Sequence, residues 1–126
     1  MSDDEYLGYV ILQSLADKSW LDRVRIEARR QIGTWTFLLV PVEPAELDAQ
    51  LADLQGALNV DEPWYADYAR GDELIIVFRD EIFHLSCEPT NWAPAIEHGL
   101  KLGVPREQLD FKPRTAEESR RFFGLS

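Results

Sequence analysis

The stretch "GDELIIVFRDEIFHLS", Gly71–Ser86, holds two apolar blocks, Leu74–Phe78 and Ile82–Leu85, around a charged centre of Arg79, Asp80 and Glu81. β-Branched and aromatic residues in short runs, broken by turn-forming residues, predict a β-hairpin. A two-residue turn at Arg79-Asp80 sets His84 opposite Ile75, and one at Asp80-Glu81 sets it opposite Val77. Either register puts His84 on the face of Ile75, Val77 and Ile82, with Ile76, Phe83 and Leu85 on the other. A histidine among branched aliphatics predicts a structural, hydrogen-bonded side chain rather than a catalyst.

Beyond the hairpin, the spacing predicts a helix capped by Asn91 and running through Leu102, with Pro94 in its first turn and Gly103 and Pro105 closing it. Its inward stripe is Trp92, Ala95, Ile96, Gly99 and Leu100, while Glu97 and Lys101 form an outward i,i+4 pair and His98 is solvated. "TAEESRRFFG" predicts a C-terminal helix begun by Thr115, with a glutamate three residues on. Before the hairpin, "DEPWYADYARG" (61–71) reads as a loop followed by a short strand. "EPAELDAQLADLQGALN" (43–59) is an amphipathic helix with Pro44 near its start, Leu47, Leu51, Leu54 and Leu58 in line, and Asn59 as its stop.

Further towards the N-terminus, "GYVILQSL" (8–15), "RVRIEARR" (23–30) and "WTFLLVPV" (35–42) predict three strands. A glycine turn at Gly33 joins the last two, and Pro41 ends the ladder pairing of the third. "LVPVEPAEL" and "HLSCEPTNW" echo one another as strand, Glu-Pro and helix, which suggests a β-β-α repeat. The expected fold is α+β and two-layered: a mainly antiparallel sheet, two helices on one face and a short C-terminal helix. The length of 126 residues predicts a single domain, with residues 1–4 disordered.

Composition excludes several classes. A formal net charge of −10 opposes binding to nucleic acid or to anionic membranes. The arginines of "DRVRIEARR", Arg23, Arg25, Arg29 and Arg30, are interleaved with Asp22 and Glu27, as on a solvated strand face with cross-strand ion pairs. No apolar run approaches the roughly 20 residues that span a bilayer, and the N-terminus lacks a secretory pattern. A single cysteine, Cys87, permits no internal disulfide, so a cytoplasmic location is expected. No cofactor motif and no metal-ligand spacing is present.

Two groups of residues are candidates for a site. The first is "EPWYADY", in which Trp64, Tyr65 and Tyr68 stand with Glu62 and Asp67; aromatic faces beside carboxylates suit a small cationic ligand or a basic protein partner. Alternation places Trp64 and Tyr68 on one face and leaves Tyr65 as the exposed ring. The second is catalytic: His84 as general base, oriented by a carboxylate such as Asp67. Cys87 is three residues from His84 and points to the opposite face, so the two form no dyad.

"PWYADY", "DELIIVF" and "AIEHGLKLGVPREQLDF", within residues 63–111, resemble a group of small prokaryotic proteins without an assigned activity. The resemblance implies a stand-alone cytoplasmic domain and carries over no functional residue. The reading is therefore a non-catalytic binding or regulatory module; the alternatives are a small enzyme using His84, or an immunity protein or antitoxin, with self-association left open.

Overall fold

The computed structural model describes residues 4–111 and 113–125. Six strands, β1 (Tyr6–Ile11), β2 (Ala28–Ile32), β3 (Trp35–Val42), β4 (Tyr65–Arg70), β5 (Glu73–Phe78) and β6 (Ile82–Ser86), pair antiparallel in one sheet of order β2-β3-β1-β4-β5-β6. Three α-helices accompany them: α1 (Leu47–Ala57), α2 (Ala93–Leu102) and the short C-terminal α3 (Ala116–Phe122). The α+β class predicted from the sequence is the observed one. The expectation for residues 1–3 lies outside the described residues, whereas the Asp4 carbonyl accepts a hydrogen bond from Arg70 Nη1 at 3.2 Å.

Local chemistry explains the connections. The β2–β3 and β4–β5 turns each use two residues and open on a glycine with positive φ, Gly33 at 61° and Gly71 at 55°, which a side chain would resist. The β5–β6 turn falls at Arg79-Asp80: the Phe78 N–H donates to the Glu81 carbonyl at 2.8 Å, and His84 faces Ile75. Thr115 and Glu118 form the reciprocal capping box that begins α3.

The two longer helices, expected on one face, lie on opposite faces. Leu47, Leu51, Leu54 and Ala57 of α1 pack with Val10, Val40, Tyr68, Ile75 and Val77 of the sheet. Trp92, the residue before α2, and Ala95 within it pack with Leu74, Ile76 and Phe78, the alternate residues of β5. The reason lies in β5 itself, where Leu74 through Phe78 are all buried and both faces need cover. Gly8 and Gly99 permit close packing, since a Cβ on either would come within 2.5 Å of the Tyr68 ring or of Leu109 Cδ2.

Several boundaries differ from the sequence reading. Residues 23–27 lie outside any strand and β2 starts only at Ala28: Arg23 closes a 3₁₀ turn over Lys18–Asp22, and Arg23 and Arg25 form ion pairs with Asp53 and Glu5 at 2.9 Å each. Pro41 does not end the pairing; it sits opposite Leu7, and the ladder continues to Val42. α1 stops at Ala57, and the Asn59 N–H reaches the Ser14 carbonyl. Each half of the chain supplies three strands before its helix, in different spatial orders, so a simple β-β-α repeat is absent. What the Glu-Pro echo does share is a 3₁₀ turn ahead of each helix, Pro44–Glu46 and Pro89–Asn91. Among the described residues no helix is long and apolar enough to cross a membrane.

Candidate functional site

On the face away from α1, alternation along three adjacent strands brings distant residues together. β1 presents Tyr9 and Ile11, β3 presents Trp35 and Phe37, and β4 presents Tyr65 and Asp67. The register makes neighbours of them, with Ile11 opposite Phe37 and Tyr9 opposite Asp67. α2 covers β5 and β6 on this face, while α3 covers the far side, its Phe122 ring edge-on to Phe37 at 5.7 Å and the ring of Phe123, just after it, 5.5 Å from Tyr9. Between the two helices the sheet is left with a cleft of about 360 Å³.

The walls of the cleft are mainly aromatic. Trp64, just ahead of β4, meets Trp35 edge-on at 5.7 Å and 70°, and its indole N–H donates to Glu62 Oε2 at 3.2 Å. The Tyr65 ring contacts Phe78 and Phe111 at 5.8 and 5.5 Å, and its hydroxyl donates to the Gln108 carbonyl. The guanidinium carbon of Arg114 stands 4.2 Å from the centre of the Phe122 ring and 5.2 Å from the centre of Tyr9. Glu107 and Asp110 stand exposed at the rim.

Asp67 is the chemical centre of this arrangement. It is half-buried at the floor, and no described side chain outside its own residue donates a hydrogen bond to its carboxylate. Burial pushes its pKa up to about 7, against the opposing pull of the Arg114 charge. The two are close enough to interact electrostatically, yet no direct ion pair joins them, and Arg114 rests instead on the rings of Tyr9 and Phe122. Burial likewise raises the phenol of Tyr9 above its ordinary value, with the Ser119 hydroxyl and Arg114 pulling it down. An ionised carboxylate held in this way attracts a cation more strongly than one in water.

The structure unites only part of the residues predicted from "EPWYADY". Trp64, Tyr65 and Asp67 line the cleft, and Glu62 acts on it only through Trp64. Tyr68 does not belong: it is 0% exposed on the α1 face, with its hydroxyl donating to Gln50 Oε1 at 2.6 Å. Nor does it share a side with Trp64, because Trp64 precedes the strand and folds back over Trp35, where the period of two no longer applies. Tyr65, expected as the freely exposed ring, is half-buried.

The histidine readings also change. His84 is exposed on the edge strand β6 rather than buried among aliphatics, since α1 does not extend over that edge. Asp67 pairs with Ile76 and His84 with Ile75, so the two side chains leave opposite faces of the sheet and cannot form a dyad. His98 turns inward, its ring 5.0 Å from Phe78 and its Nε2 2.8 Å from Asp80 Oδ1, while Leu100 is 40% exposed in the place expected of His98. Cys87 borders the α2 core, and burial raises its thiol pKa.

Sequence reading missed Tyr9, Trp35, Phe37, Arg114 and Phe122. The alternation of Tyr9 with Ile11 and of Trp35 with Phe37 was the available signal, but only strand order shows that these pairs adjoin Asp67. In comparisons with protein-family models, curated proteins and solved structures, nothing matches this chain.

Proposed function

We propose that this protein is a non-catalytic binding module that takes a small organic cation in the cleft, with the ligand's charge beside Asp67 and its apolar body against the tryptophans. The observation that carries this reading is the uncommitted carboxylate at the floor of an aromatic cleft. A half-buried carboxylate is costly to ionise, and a bound cation offsets that cost by supplying the partner that the fold omits. The aromatic rings add their quadrupoles, and the rim carboxylates draw cations inward. A concave site of about 360 Å³ suits a small molecule better than a protein surface.

Phenethylamine and its neutral analogue 2-phenylethanol, titrated into ¹⁵N-labelled protein above pH 8, test the reading. The amine is expected to shift the indole signals of Trp35 and Trp64 at several-fold lower concentration than the alcohol, and Asp67→Asn should erase that preference. Equal binding of both compounds, or shifts confined to other parts of the sheet, would refute it. A small enzyme with Asp67 as its acid–base group is the second reading. It is favoured by a carboxyl titrating near neutrality in a cleft.

A further inference from the structure

Arg114 lines the same cleft as Asp67. Its guanidinium lies against the rings of Phe122 and Tyr9, which restrains the group, and a guanidinium carries several N–H donors for a ligand. The cleft thus presents a fixed negative group and a fixed positive group that do not close on each other in a direct ion pair. A ligand carrying only a positive charge gains Asp67 but is repelled by Arg114. One carrying only a negative charge meets Arg114 but is repelled by Asp67, with Glu107 and Asp110 adding to that repulsion from the solvent-screened rim. A molecule with both charges satisfies both groups.

We infer that the cleft recognises a zwitterion, its ammonium group directed to Asp67, its carboxylate to Arg114 and its apolar body to the tryptophan wall. This rests on the cation reading above and adds to it the ligand's second charge. The amino-acid class, α or ω, has this chemistry, and the spacing between the two charges separates its members. Arg114 is suited to the carboxylate because a guanidinium held against two rings loses little freedom when it bonds.

The test uses two matched sets of probes with the intact protein by isothermal titration calorimetry. L-Phenylalanine is compared with phenethylamine and 3-phenylpropionate, and 4-(aminomethyl)benzoate with 4-methylbenzylamine. At least one zwitterion is expected to bind about tenfold or more tightly than its own amine, with 3-phenylpropionate weakest. Arg114→Met should bring that zwitterion within about twofold of the amine, and Arg114→Lys should restore part of the gap. If the amines bind and neither zwitterion binds more tightly, the inference fails while the cation reading stands. If neither amines nor zwitterions bind, both fail. The comparison within the unaltered protein decides the matter even where loss of Arg114 loosens α3.

Discussion

Replacing Asp67 with asparagine should make the protein more stable at alkaline pH, by a margin that builds up as pH rises from about 4 to about 7. Its carboxyl titrates at about 7 in the fold, against an ordinary value of 3.8, so burial favours the protonated form. Between those values the unfolded chain gives up its proton while the folded chain keeps it. Stability therefore falls as pH rises from about 4 to about 7 and levels off above. A gap of about 3 units corresponds to about 4 kcal/mol, of which about 3 kcal/mol remains between pH 5 and full ionisation. Water at the mouth of the cleft screens part of this, which leaves an expected 1–3 kcal/mol, on the order of a buried charge with partial solvation. Urea unfolding followed by tryptophan fluorescence at pH 5 and pH 8.5 measures it. The difference between Asp67→Asn and wild type should move by about 1–3 kcal/mol in favour of the variant over that interval, and the titration of every other group cancels in the comparison. A difference constant to within about 0.5 kcal/mol, or one that moves the other way, would show that the carboxyl is solvated and that its place at the floor of the cleft has been misjudged.

Three other substitutions probe the fold. Leu51→Ala, at the centre of the α1 stripe and 1% exposed, should cost about 2–5 kcal/mol by chemical denaturation; a loss below about 0.5 kcal/mol would mean that α1 is wrongly phased. Tyr65→Ala should cost about 1–3 kcal/mol, because its ring packs on Phe78 and Phe111 and its hydroxyl holds the Gln108 carbonyl; a neutral result would show that the ring is free of the fold. His84→Ala should leave stability within about 0.5 kcal/mol of wild type in the same assay, as exposed edge-strand changes do, and a larger loss would place the imidazole in a packed environment.

Much of the fold was legible because its signals are local. The span of β3 follows directly from "WTFLLVPV", and the capping box of α3 from Thr115 and Glu118. The register of the β5–β6 hairpin was narrowed to two choices by its charged turn. The placement of the helices was legible too, in a signal that was passed over. A strand buried on one face alternates, yet "LIIVF" does not, and such an unbroken apolar run requires layers on both sides. The arginine-rich segment misled for the opposite reason. Its alternation of Val24, Ile26 and Ala28 suits a strand, but Arg25 reaches the buried Glu5 carboxylate, a long-range ion pair that no local pattern announces.

The cleft was less legible because no single segment contains it. Its floor needs β1 to lie between β3 and β4, and its far wall needs residues from Arg114 onward to fold back across the sheet. One local clue did point there. Aspartate is disfavoured inside strands, and within "YADYAR" Asp67 is the residue that breaks the rule while its neighbours Ala66 and Tyr68 are buried. Had its side chain fallen on the α1 face, it would have faced Ile75 and Val77 with no water, at a cost that folding seldom tolerates. It falls instead on the face where α2 and α3 leave a gap, so the same residue that weakens the strand also reaches solvent through an aromatic wall. Local sequence preferences are most often broken where a chain holds a functional group in place. The combination of a misfit carboxylate and an opening built around it is therefore what favours a site in this cleft over a simple packing defect.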